Sequence, residues 1–190
     1  MTHRFAETVF TESVKAQQKV YGSLEHNQNL QVSFGPNDEL RPREAEFIAR
    51  RDSFYLATVS ETDWPYVQHR GGPPGFLKVL GPKLLAYADF RGNTQLVSAG
   101  NLSVNDRCSL ILMDYPNRRR LKILGRIRVE NAADIAEEIL TRIAMPDYGA
   151  VIERIFLIDL IAFDWNCPQH ITKRFTEAEF LEMSKSLHSN

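Results

Sequence analysis

From Ser53 onward the chain alternates apolar and polar residues at the two-residue period of a β-strand; before Ser53 it does not. The run "SFYLATVS" is rich in aromatic and β-branched residues, "ETDW" reads as a turn, and "PYVQHR" returns as the partner strand of a hairpin. "FLKVL" and "KLLAYAD", joined at Gly81-Pro82, predict a second hairpin. "RCSLILMDY" is almost continuously apolar, "PNRRR" turns, and "LKILGRIRVE" sets Leu121, Ile123, Ile127 and Val129 on one face. "IERIFLIDLIAFDW" is the last strand region. Six or seven strands in consecutive hairpins predict a small closed or nearly closed antiparallel barrel, a mainly β, α+β fold with peripheral helices.

Helical spacing flanks and interrupts the strands. "ETVFTESVKAQQKVYG" carries Val9, Phe10, Val14 and Val20 among good helix formers and predicts one helix ending near Gly22. The polar run "SLEHNQNLQVSFGPNDEL" reads as a linker. "RPREAEFIARR" predicts a helix with Pro42 in its first turn and Phe47 and Ile48 facing inward. In "FRGNTQLVSAGN", Asn93 or Thr94 is expected to cap a short helix closing at Gly100-Asn101. "NAADIAEEILTRIA" is a further helix, and "TEAEFLEMSKSL" closes the chain with Thr176 and Glu179 as a capping box. The expected organisation is one domain, with a helical arm over residues 1–45 packed on a barrel over 46–190.

Composition narrows the function classes. The 190 residues suffice for one buried core, and 43% apolar with 25% charged residues is ordinary for a globular chain. A formal net charge of -1 removes a whole-protein electrostatic case for nucleic acid. No window reaches the roughly 18 apolar residues of a membrane span, and the N-terminus lacks a secretory core, so a cytoplasmic protein without a membrane partner is expected. Cys108 and Cys167 form no CxxC pair, leaving a zinc site unlike the pattern and a single bridge between them open. Nucleotide-loop, zinc-protease and nucleophile-elbow motifs are absent.

Four stretches are candidates for chemistry. Gly71-Gly72-Pro73-Pro74-Gly75 interrupts two strands with backbone-special residues, as if something must approach closely. "ADFRGNTQ" runs from a strand into a helix start with Arg91, suited either to a phosphate or to a solvated turn. Arg120, Lys122, Arg126 and Arg128 share a strand face that suits an anionic group or plain solvent. "DWNCPQHITKRF" offers Trp165 as a flat surface and Asn166, Gln169, His170 and Arg174 as hydrogen-bonding groups, while Cys167 has no activating partner in sequence.

In order, "QHRGG…FLKVL…LAYADFRGN…RRLKILGRI…DWNCPQHITKRF" resembles the pyridoxamine 5'-phosphate oxidase-like family of FMN-binding split-barrel proteins over roughly residues 45 to 175. The resemblance implies FMN as cofactor. It implies a binding set of His69, Arg70, Lys78, Ala88, Asp89, Arg91, Asn93, Thr94, Arg120, Trp165, Gln169 and Arg174. It also implies a homodimer with flavin at the subunit interface and a small-molecule substrate. Arg120 stands where the oxidase has a flavin-approaching Gln, and His170-Ile171-Thr172 replaces its substrate-binding "RLH", so a flavin oxidoreductase related to the oxidase but with another substrate is expected. Catalytic residues are not assigned. The competing reading is a non-catalytic split-barrel module for flavin or haem, with His69 or His170 as axial ligand.

Overall fold

The computed structural model describes residues 3–33, 35–92 and 94–188. Seven strands form one antiparallel sheet: β1 (Ser53–Val59), β2 (Pro65–Gly71), β3 (Lys78–Gly81), β4 (Leu84–Phe90), β5 (Arg107–Asp114), β6 (Arg119–Asn131) and β7 (Ile152–Trp165). Their order is β2-β1-β5-β6-β7-β4-β3, which puts the two hairpins expected from sequence at opposite ends of the sheet. The sheet curls so that these ends meet. Arg70 on β2 donates to Asp89 on β4 at 2.7 Å, a contact between strands that share no backbone ladder.

The interior face follows from strand parity. Leu56, Leu110, Leu112, Leu121, Ile123 and Ile158 are fully enclosed, and Phe54 stacks on Phe76 while Tyr87 stacks on Phe156. On β6 the expected alternation of Leu121, Ile123 and Ile127 holds. The register between β6 and β7 shifts between Leu124 and Gly125, where a Cβ on Gly125 would come within 2.8 Å of Ile158 and 3.0 Å of the Asp159 carbonyl.

The N-terminal region departs from its expected layout. In place of one helix there are α1 (Arg4–Val9) and α2 (Glu12–Val20), because Thr11 takes an N-cap position, its Oγ1 accepting from the Val14 N–H at 3.4 Å. Val20 is exposed. The expected linker contains α3 (Leu24–Ser33), a helix with no apolar stripe for periodicity to find. By contrast α4 (Pro42–Ala49) starts at Pro42 and buries Phe47 and Ile48 as read. The arm lies on its own barrel. Phe5 and Ala6 are buried, the Leu40 N–H donates to the Pro82 carbonyl at 2.7 Å, and the Phe163 N–H donates to the Asn37 carbonyl at 2.8 Å.

Helix α5 (Val97–Val104) starts later than expected and continues through Gly100-Asn101. Its N-cap is Leu96 in the left-handed region with no side-chain cap, so Thr94 does not cap it, and Asn93 lies outside the described residues. The helix is held by polar anchors: Ser98 donates to Gln68 at 2.7 Å, and Asn101 donates to Thr58 at 3.0 Å. Helix α6 (Glu137–Ile143) covers a second apolar layer of Ala86, Ile155 and Leu157 on the outer face of β4 and β7. The closing helix α7 (Glu177–His188) has the expected capping box, with the Thr176 N–H donating to Glu179 at 2.8 Å. Both cysteines are free, Cys108 buried and Cys167 exposed, so no bridge joins them. Among the described residues no helix is long and apolar enough to cross a membrane.

Candidate functional site

The Gly-Pro segment between β2 and β3 is shaped by the protein itself. Gly75 has φ +78°, and a Cβ there would lie 2.9 Å from the Ala49 carbonyl oxygen at the end of α4. A Cβ on Gly72 would meet Phe76 at 2.9 Å, and Phe76 is 2% exposed in the core. Backbone bonds from Gly72 to Asp52 and from Gly75 to Arg51, both 2.9 Å, pin the loop. At Gly71 and Gly72, the pair whose small size suggested room for a ligand, a Cβ would instead meet the His69 ring at 3.0 Å and Phe76 at 2.9 Å.

The sequence candidates gather at two ends of the sheet. At the first, the end of β2 brings Arg70 inside the barrel mouth, 8% exposed, with its guanidinium against the rings of Tyr87 and Phe156 at 5.7 and 5.2 Å. Asp89 sits between two guanidiniums: Oδ1 accepts from Arg70 at 2.7 Å, and Oδ2 accepts from Arg154 Nε and Nη2 at 2.9 and 2.8 Å. With Glu153 also 3.4 Å from Arg154 and 3.2 Å from Arg91, the corner holds three arginines against two carboxylates. Arg70 Nε and Tyr87 Oη are shielded from solvent with no hydrogen-bond partner, and burial pushes the Tyr87 phenol well above its usual range. Ala88 is buried, Arg91 is exposed beside Glu153 at 3.2 Å, and Thr94 is exposed. Lys78 shares the other face of β4 with Ala86, its register partner, and lines a shallow cavity with Arg142, Pro74 and Leu80. His69 is exposed on the outward face of β2, edge-on to Tyr55.

At the second end, Trp165 closes the barrel under α4. Its indole N–H donates to Glu44 Oε1 at 2.8 Å, its ring meets Phe47 edge-on, and the guanidiniums of Arg43 and Arg119 lie 4.7 and 4.8 Å from its centroid. Arg120, opposite Met113 on the outward face, is half-buried, and its Nε has no partner. Arg174 lies over Tyr115 at 5.1 Å, while Gln169 and His170 are exposed. Burial raises the Asp164 carboxyl above its usual value, with His3 and Lys122 opposing. In the basic row read from sequence, Arg126 is paired with Asp106 at 2.6 Å and Arg128 with Asp159 at 3.4 Å; Arg120 has no ion pair among the described residues.

Nothing in the sequence points to Arg154: its partner Asp89 is 65 positions away, and on its own strand it is one charged residue among Glu153, Asp159 and Asp164.

A curled antiparallel sheet with helices on its outside and basic groups at both ends is a split-barrel protein. The chain belongs to the pyridoxamine 5'-phosphate oxidase family, a flavin-binding family, whose model matches residues 40–167. Among solved structures, the fold is similar to that of a candidate pyridoxamine 5'-phosphate oxidase from Lactobacillus delbrueckii, with 19% identity, TM-score 0.50, and 67% of this chain and 94% of that chain covered. It is also similar to HupZ of Group A Streptococcus, at 11% identity and TM-score 0.51 over 72% of this chain and 99% of that one. An FMN-binding protein from Syntrophomonas wolfei aligns at 11% identity and TM-score 0.47 over 82% of this chain and 97% of that chain. Comparison with curated proteins gives no match.

Proposed function

We propose that the protein binds FMN between two copies of its chain and acts as an FMN-dependent oxidoreductase on a small organic molecule other than pyridoxamine phosphate, in the cytoplasm. One observation carries the two-chain part. Arg154, beside Asp89 and Arg70, and Trp165, beside Arg120, are the two ends of one strand. Eleven steps of about 3.3 Å give at most about 36 Å of strand between them, longer than a flavin mononucleotide. This spacing favours the two groups serving one flavin from different copies. The outward face of β1 and β2, with exposed Tyr55 and Val67, is a surface on which a second copy can sit.

In this reading Arg91, Arg154 and Thr94 hold the phosphate. Arg70 closes the barrel and orients Asp89. The residues present fit an anionic ligand, because Arg70, Arg91 and Arg154 stand against only Asp89 and Glu153, and the Arg91 side chain is exposed. Arg120 places a cation near the ring and favours its reduced anionic form. FMN, when bound, supplies the electron-transfer chemistry, and the chain supplies orientation and electrostatics. Two free cysteines fit a reducing compartment.

The test is gel filtration with absorbance detection after adding FMN. Flavin bands co-eluting with a dimer support the reading, and Arg91→Gln is expected to weaken retention. A monomer that retains FMN refutes the two-chain site, and a protein that retains none removes the flavin.

A further inference from the structure

A cavity of about 850 Å³ lies between the N-terminal arm and the barrel. Phe5, Val9 and Phe10 wall it from the arm side, and Phe163 with Trp165 from the barrel side. Its volume is in the range of small-molecule sites. The charged residues around this apolar cup are Arg41, Arg43 and Lys122 against Glu44 and Asp164, with His3 beside Asp164 at 3.7 Å. Glu44 is committed: it accepts from the Trp165 indole at 2.8 Å and from the Arg41 backbone N–H at 3.2 Å. Lys122 stands opposite Asp164 in register and offsets its charge. Arg43 lies on Trp165. Neither the Arg41 nor the Arg43 guanidinium has a carboxylate partner among the described residues, and because Arg43 is engaged on the Trp165 ring, Arg41 is the cation of the rim left for a ligand.

His3 ties the polar side of the cup together: its Nδ1 accepts the Ala6 N–H at 3.3 Å as the N-cap of α1, and its Nε2 lies 2.8 Å from Asn37 Nδ2 and 3.7 Å from Asp164.

We infer that this cavity is a binding site for an amphipathic carboxylate, its hydrocarbon or aromatic body against Phe5, Val9, Phe10 and Phe163 and its carboxylate at Arg41. The site is separate from the proposed flavin site, sharing only Trp165 with it.

Cys167 lines the same cavity and is exposed, whereas Cys108 is buried with its thiol pushed up to about 12, so native alkylation reads one position. The probe is 2-naphthoate, and the measurement is the rate at which N-ethylmaleimide modifies Cys167, followed by mass, in flavin-free and FMN-loaded protein. Saturating naphthoate is expected to slow modification equally in both forms. The neutral analogue 2-naphthylmethanol and the Arg41→Gln protein should each need at least about fivefold more ligand for half-protection, the scale of one solvent-shared ion pair. Val9→Trp, which fills the cup, should abolish protection while an unchanged melting curve shows that the chain folds. An unprotected Cys167, or equal protection by the alcohol, overturns the inference. So does protection by FMN alone with nothing added by naphthoate, which would make the cavity part of the flavin site and leave the flavin reading intact.

Discussion

Replacing Asp89 by Asn removes the one negative charge between two guanidiniums while keeping the side-chain volume. Asp89 is 4% exposed and accepts three charge-assisted bonds of 2.7 to 2.9 Å. The amide leaves the Arg70 guanidinium enclosed against Tyr87 and Phe156 with no anion beside it. Breaking a buried pair from one side costs about 3–5 kcal/mol. Arg154 is 19% exposed and keeps Glu153 at 3.4 Å, which relieves one half, so the expected loss is about 3 kcal/mol. At roughly 2–4 °C per kcal/mol for a chain of this size, the melting temperature should fall by about 6–12 °C. The assay is urea and thermal unfolding of flavin-free protein at fixed protomer concentration and neutral pH. Arg91→Gln is the control: its pair with Glu153 involves an arginine side chain 69% exposed and should cost less than about 0.5 kcal/mol. A loss from Asp89→Asn no larger than that of the control would refute the account of the barrel mouth.

Three further outcomes follow from the packing. Gly75→Ala puts a Cβ 2.9 Å from the Ala49 carbonyl at φ +78°, and should lower stability by about 1–3 kcal/mol in a urea melt. The Cys108 thiol rises on folding from 9.0 to about 12 through burial, so the stability it contributes is complete below pH 9 and is lost as pH climbs toward 12. Cys108→Val should flatten that alkaline limb, and one thiol of the native protein against two of the unfolded protein should react at pH 8. Burial also raises the Asp164 carboxyl above its ordinary 3.8, so ionising it costs folded-state stability. Asp164→Asn should stabilise at pH 7, with the gain fading as pH falls through the raised folded-state value toward the ordinary 3.8 and absent below it; an unchanged difference between pH 7 and pH 3 would contradict it.

The strands were legible because one face of each is enclosed, and enclosure writes a period of two into β1, β5 and β6. Helix α3 was not legible, since it has no apolar stripe. Nor was the gap between α1 and α2, which turns on Thr11 alone. Long-range order was hidden for a related reason. Hairpins adjacent in sequence suggest a meander, yet three strands from later in the chain separate β1 from β4. Of the candidate site, Arg70 and Asp89 stood out in sequence but not as each other's partners, and the arm's contribution to the large cavity through Phe5, Val9 and Phe10 carried no motif.

The meeting of Arg70 and Asp89 has a bearing on how the barrel moves. Strand β2 ladders only to β1, and β3 only to β4, so the two ends of the sheet touch through side chains and not through a shared row of backbone bonds. A cylinder closed this way has a seam. It can breathe along that line without breaking a single ladder hydrogen bond, and the work of opening falls on Arg70, which would leave Asp89 and the rings of Tyr87 and Phe156, while Arg154 stays with Asp89 on the far side of the seam.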